Sequence, residues 1–335
     1  MKINMLRRIT TLAIILALTV VMLGAYTRLT DAGLGCPDWP GCYGQMVLPS
    51  GKSELSFVQK QFPEQPFEKR KAWTEMVHRY AAGTLGLLIL IIFLSCLFTR
   101  ALKAVPKTVP LGLMCLVIFQ AMLGMWTVTL KLLPVVVMAH LLGGILIFAG
   151  LCYFGWQLSD VKGQNLANWR FWIILGTIIV FLQIGLGGWV SSNYAGIACI
   201  GFPKCNGTWI PKLYFSQGFN LFLPVGANYQ GGLLESHIRV TIQFIHRLGA
   251  VVTAGFVLFL SGFIIARVRS NYLRAVAMAA IILVLVQFLL GVMNVIYFLP
   301  LWVAVAHNGV AALLFVTLFS LLYLSKGGVA DAPQA

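Results

Sequence analysis

The sequence predicts an all-α integral membrane protein with eight transmembrane helices, arranged as two parallel, pseudo-symmetric four-helix bundles. Three observations predict it. Of the 335 residues, 59% are hydrophobic and only 10% are charged, whereas soluble domains carry about a quarter charged residues. Eight apolar runs each approach the roughly 20 residues that a bilayer span requires. The second half of the chain also repeats, in order, motifs found in the first.

The spans are read at about 9–27, 77–99, 108–130, 135–157, 171–192, 240–266, 274–297 and 301–325. No long polar segment is left over for a soluble domain. The net charge of +15 does not point to nucleic acid, because of where the basic residues fall. Lys2, Arg7 and Arg8 precede the first span, and Arg100, Lys103 and Lys107 lie between the second and third. Lys162 and Arg170 follow the fourth, and Arg267, Arg269 and Arg274 follow the sixth. If the spans alternate, these short segments share one side, which is the positive-inside pattern. Both termini are then cytoplasmic, and the two long loops, about 28–72 and 193–237, lie outside. The first span has the basic flank of a signal peptide. It is read as a retained helix because it has a counterpart in mid-chain. No Arg- and Ser-rich transit sequence precedes it, which favours a bacterial inner membrane.

The duplication shows in three pairs of segments. "EMVHRYAAG" (75–83) matches "QFIHRLGAV" (243–251), "FQAMLGMWTV" (119–128) matches "VQFLLGVMNV" (286–295), and "VVMAHLLGG" (136–144) matches "VAVAHNGVA" (303–311). The offsets are 168, 167 and 167 residues. "CPDWPGC" (36–42) and "CIGFPKC" (199–205) share a C-x5-C spacing and a proline. Residues 1–160 and 161–335 are thus each a four-helix half with a cysteine loop after its first helix. Four is an even number of spans, so the halves are parallel, related by an axis along the membrane normal. Glycines such as Gly143, Gly144, Gly187 and Gly188 suit close helix approach.

Four of the five histidines, His78, His140, His246 and His307, sit in the repeat, on spans 2, 4, 6 and 8. All four of these spans run inward, and each histidine lies within about two turns of its outer end. Polar residues in a span turn inward. Each half therefore carries two imidazoles at one depth, an arrangement that can supply both axial ligands of a haem iron. A single such residue would be read as hydrogen-bonded packing. Four at matching depth favour ligation. Zinc suits the set less well, since no carboxylate or thiolate joins the histidines in both halves. Met76 and Met138 have no methionine counterparts and read as gap-filling. His237 lies outside the repeat and reads as a surface residue. Arg79 and Arg247 each follow a histidine; propionates of a haem and the membrane interface are the two partners open to them.

The halves differ at Glu75 and Gln243, each three residues before a histidine and on its helical face. A carboxylate at a haem-sized pocket can accept a proton or orient water. The acidic half then reacts and the neutral half holds. A glutamate at the interface that meets only solvent is the alternative.

Over essentially the whole chain the sequence resembles the haem A synthases, which serve cytochrome c oxidase assembly. "GAYTRLTDAGLGCPDWPGCYG", "EMVHRYAAG", "MAHLLGG", "FIHRLGA" and "VAHNGVA" carry the resemblance. It implies oxidation of the C8 methyl of haem O to a formyl group, by successive hydroxylations and loss of water. It implies that His246 and His307 hold a haem b cofactor, with Arg247 beside it, and that His78 and His140, with Arg79, surround the substrate haem. Glu75 matches the family's acidic residue. Implied partners are haem O synthase, an electron-transfer protein of unspecified identity and the bilayer, with a homo-oligomer left open. In the oxidising compartment outside the membrane, Cys36–Cys42 and Cys199–Cys205 can be disulfides, each closing a short loop over a histidine pair. Free or redox-active thiols in the first loop are the alternative. Cys96, Cys115 and Cys152 lie near the inner ends of spans and read as small buried apolar residues. The acid-rich stretch 43–72 is a candidate partner contact. The aromatic stretch 207–234 is a candidate for lying on the membrane or capping the haem b site. Two other functions fit four histidines at one depth: a two-haem cytochrome that only passes electrons, and a haem carrier or transporter. Neither requires Glu75.

Overall fold

The computed structural model describes residues 2–63, 65–99, 102, 105–159, 161 and 163–326. Arg100, Lys103 and Lys162 lie outside the described residues. Among the described residues the chain is all helix: α1 (Ile3–Leu29), α2 (Lys52–Gln61), α3 (Lys69–Phe98), α4 (Thr108–Thr129), α5 (Pro134–Gln157), α6 (Ala167–Ser192), α7 (Phe215–Gly218), α8 (Ser236–Arg267), α9 (Asn271–Ile296) and α10 (Leu301–Leu324). Eight of them, all but α2 and α7, are long and apolar enough to cross a membrane.

Several helices outrun the apolar runs. α3 begins at Lys69 and α8 at Ser236, ahead of the expected starts at 77 and 240. The added turns carry polar residues such as Lys69, Arg70 and Lys71. These make poor lipid contacts but good helix formers, so the helices continue out of the bilayer. α2 lies in the first long loop, where no helix was expected. There the Glu54 carboxylate accepts the Ser50 and Gly51 backbone N–H groups at 3.0 and 3.2 Å and starts the helix.

In the first half, α1, α3, α4 and α5 pack as a ring in which α3 and α5 are diagonal; α6, α8, α9 and α10 do the same in the second half. The rings meet through α1 and α5 on one side and α6 and α10 on the other. The largest apolar cluster includes Leu6, Ile92, Leu151, Ile173, Leu260 and Leu318, all at most 3% exposed. Outward, Leu12, Ile15, Leu182, Phe259 and Leu289 are more than half exposed. An apolar surface of that kind is expected where lipid is the solvent.

Matching backbone features recur about 163 residues apart, the separation of Asp31 from Tyr194. Asp31 and Tyr194 both have positive φ, as do Tyr43 and Asn206, and isolated bridges join Cys42 to Gln45 and Cys205 to Thr208. The α4–α5 turn uses Lys131 and Leu132 with positive φ; the α9–α10 turn uses Phe298 and Leu299. Both turns are followed by a proline, which fits the first turn of a helix because the missing N–H would be unpaired there.

The halves are also tied to each other outside the lipid-facing zone. Arg28 donates to Ser191 O at 2.5 Å and lies 3.9 Å from the Tyr194 ring centroid. The Tyr194 hydroxyl donates to Asp31 Oδ1 at 3.0 Å. At the opposite end, Trp156 Nε1 donates to Ser320 Oγ at 2.9 Å, and the Tyr323 hydroxyl donates to Trp156 O at 3.3 Å.

Candidate functional site

α3 and α5 place His78 and His140 opposite each other across the first bundle, with ring centroids 6.4 Å apart and planes at 78°, edge to face. Because these helices are diagonal, the rings meet at the bundle centre rather than along one helix seam. In the second bundle, His246 stands on α8 and His307 on α10, the other diagonal pair of helices. All four rings are partly buried.

Each ring rests against a glycine of a neighbouring span. A β-carbon at Gly24 would stand 3.0 Å from His78 Cε1; at Gly124, Gly187 and Gly291 it would stand 3.2 Å from Cε1 of His140, His246 and His307. Close approach of ring to backbone is what these four glycines supply. The sequence offered Gly187 only as a generic small residue.

Three glutamines that sequence reasoning missed also touch the rings. Gln120 Nε2 lies 3.1 Å from His140 Nδ1 and donates to His140 O at 2.7 Å. Gln183 does the same for His246, at 3.1 and 2.9 Å. Gln287 Nε2 lies 3.2 Å from His307 Nε2. A signal was present for two of them: Gln120 and Gln287 occupy the same place in the repeated segments "FQAMLGMWTV" and "VQFLLGVMNV".

The donor set can be tested against a metal. Among the described residues, no group of three or more His, Cys, Asp or Glu side chains converges to hold an ion. A bare transition ion draws three or four protein ligands. A facing pair of imidazoles suits an iron that brings its own macrocycle and needs only axial ligands. The 6.4 Å between the His78 and His140 centroids is about what two rings and two metal–nitrogen bonds of about 2 Å span. Nδ1 of His78 and of His307 have no hydrogen-bond partner, so the residues present fit haem in both halves.

Glu75 is no solvent-facing interface residue: it is 4% exposed. Its Oε2 accepts the Cys36 N–H at 3.0 Å, and its Oε1 pairs with Arg79 Nη2 at 2.6 Å. The pair is a Glu-to-Arg i,i+4 contact in the favourable order, so the spacing alone could have revealed it. Gln243, its counterpart, is 5% exposed, and its Oε1 is unpartnered.

Both arginines bond the backbone of the cysteine loops. Arg79 Nη1 donates to Asp38 O at 2.9 Å, to Pro40 O at 3.2 Å and to Gly41 O. Arg247 donates to Gly201 O at 2.8 Å, to Lys204 O at 3.4 Å and to Cys199 O. Each guanidinium thus gathers the carbonyls of the cysteine loop above its own histidine.

Both cysteine pairs are bonded, with Cα–Cα distances of 4.8 Å for Cys36–Cys42 and 4.9 Å for Cys199–Cys205. Asp38 accepts the Tyr43 and Gly44 N–H groups at 2.7 Å each, and Asn206 Oδ1 accepts the Ile200 N–H at 2.8 Å. Asn206 thus spends its amide inside the loop, its Nδ2 donating to Ala198 O at 3.2 Å. Burial, and then the carboxylates of Glu68, Glu75 and Asp38, push the Tyr43 phenol above its ordinary pKa. Its neutral hydroxyl donates to Pro66 O at 3.3 Å. Of the three free cysteines expected to be buried, only Cys96 is; Cys152 is intermediate and Cys115 is exposed. Met76, 1% exposed, packs under the first disulfide. His237 is half exposed, 3.2 Å from Glu235.

The two long loops differ in their anchoring. Buried Tyr229 in the second donates its N–H to Lys131 O of the α4–α5 turn at 3.0 Å, and Gly218 O accepts from Trp189 Nε1 at 2.7 Å. Trp209, Phe215 and Phe222 remain exposed.

Residues 7–319 match the COX15-CtaA family, described as cytochrome oxidase assembly protein. A haem A synthase of Shewanella oneidensis is 44% identical over 330 residues, covering 96% of this chain and 96% of its own length. A haem A synthase of Sphingopyxis alaskensis is 29% identical over 326 residues, covering 90% and 86%. One from Wolbachia pipientis wMel is 28% identical over 341 residues, covering 93% and 90%. With that match running through both bundles and both cysteine loops, the chain belongs to the COX15-CtaA family of cytochrome oxidase assembly proteins.

Proposed function

We propose that this chain is a haem A synthase, oxidising the C8 methyl of haem O to a formyl group by successive hydroxylations and loss of water. Haem O is the substrate of the first half, residues 1–160, between His78 and His140. A resident haem b is held in the second half, residues 161–335, by His246 and His307. The observation that carries this assignment is the single carboxylate in a duplicated site. Glu75 lies one turn from His78, where the second half has neutral Gln243.

The residues divide the work as follows. His78 and His140 orient the substrate from opposite helices. Arg79 and the Cys36 N–H fix the Glu75 carboxylate in place, where it can take up a proton as the methyl group is oxidised. Arg247 and the second disulfide loop cover the outer end of the other bundle. A bound haem b supplies electron transfer. A cytochrome that only passes electrons would have no use for the asymmetry at Glu75.

Pigment composition tests the reading. Haem extracted from the purified protein and separated by chromatography should contain haem O or haem A beside haem b. Haem b alone, filling both sites, would instead support the electron-transfer cytochrome.

The protein spans the membrane many times. The proposed setting is a bacterial inner membrane with both termini cytoplasmic. Cysteines introduced in 43–72 or 207–234 should then react with an impermeant periplasmic reagent, once native disulfides are accounted for. Those introduced in 105–108 or 268–271 should stay unlabelled. The reverse pattern would overturn the orientation.

A further inference from the structure

Of the four site histidines, only His78 touches no glutamine. His140, His246 and His307 each lie within 3.2 Å of a glutamine amide nitrogen, while His78 meets only the Val20 backbone and no side-chain amide. The gap has a definite origin in the repeat. Val20 on α1 occupies the position that Gln183 occupies on α6, in the same register that pairs Gly24 with Gly187. The receiving side differs too. The Gln183 amide oxygen lies over Gly249, where a β-carbon would stand 2.3 Å from it. The first half has Ala81 at that place. Both the amide and the space for it are therefore missing beside His78.

An iron-bound histidine is held by the partner of its other ring nitrogen, and losing such a partner costs about 10–100-fold in metal affinity. A glutamine amide can fill this role, since it donates at one end and accepts at the other. It donates to a bare Nδ1. Turned over, it accepts from the Nδ1–H that a ring ligating through Nε2 carries.

We propose that Gln183 is the positioning residue that makes the second-half haem site retentive, and that Val20 with Ala81 leaves His78 without a side-chain partner, so that the first site exchanges its haem. This rests on the proposed function, in which one haem stays as cofactor while the other arrives as substrate and leaves as product. A cofactor site gains from a fixed ligand. A substrate site held equally tightly would retain its product.

The test uses protohaem as the probe and the whole detergent-solubilised chain, with release into excess apomyoglobin followed in the Soret band. Gln183→Leu should speed haem release from the second site about 10–100-fold. In a His246→Ala/His307→Ala background only the first site remains. There, Val20→Gln with Ala81→Gly should slow release by a similar factor. A Gln183→Leu protein that releases haem at the parent rate overturns the proposal. If that variant does not accumulate, the second arm decides alone, and release unchanged by Val20→Gln/Ala81→Gly overturns it. Failure of the parent protein to bind haem in either half would sink the proposed function itself, and this inference with it.

Discussion

His246→Ala or His307→Ala should remove the stable b-type haem signal from the purified protein. Each change would remove one of the two histidines proposed to hold the haem, and among the described residues no third His, Cys, Asp or Glu joins them. The loss should be close to complete rather than graded, because a haem with one protein ligand keeps neither its low-spin state nor its anchorage across the bundle. His78→Ala and His140→Ala act on the other half and should leave the b-type signal in place. Pyridine haemochrome content and the low-spin optical spectrum measure this directly. An unchanged low-spin spectrum in a folded His246→Ala protein would refute the assignment of haem b to the second half.

Glu75→Gln should cut conversion of haem O to haem A by about 10²-fold or more if the carboxylate is a true general base. Haem O or a partly oxidised intermediate should accumulate, while haem b occupancy stays at the wild-type level. The structure explains why this substitution is mild for the fold. Glutamine keeps an acceptor for the Cys36 N–H. Arg79, losing its counter-ion, retains the carbonyls of Asp38, Pro40 and Gly41. The cost should stay below the roughly 3–5 kcal/mol of stranding a buried charge with no partner. Haem extraction and chromatography from expressing cells gives the conversion, and thermal unfolding gives the stability. Normal haem A output from a well-expressed variant would mean that Glu75 serves only to pin the first cysteine loop to α3.

The test of Glu75 matters because sequence and structure speak to it differently. Its position three residues before His78 could be read from the chain, and so could its lack of an acidic counterpart. Its burial could not, since α3 continues outward from the membrane through a charged first turn and the cysteine loop folds back over it. The same folding back gives Arg79 and Arg247 loop carbonyls as partners in addition to the propionate or interface that side-chain chemistry offers, since those carbonyls come close only once each disulfide has turned its loop over the helix end.

The sequence by itself determined the membrane class, the eight spans, the duplication, the four histidines at matching depth and the candidate cysteine pairs. Each of these depends on composition, on run length or on a register that survives along the chain. Apolar length alone decides whether a helix can cross a bilayer, and a repeat offset needs no knowledge of packing. Only the tertiary structure decided which helices are diagonal, which glycine meets which imidazole, and which glutamine reaches which ring nitrogen. Those contacts join α1 to α3, α4 to α5, α6 to α8 and α9 to α10. They depend on how each helix is rotated about its axis, and spans that are hydrophobic nearly all round carry little amphipathic signal to set that rotation. The difference between Val20 and Gln183 was therefore present in the chain from the start, but its meaning depended on the two ring positions that packing alone fixes.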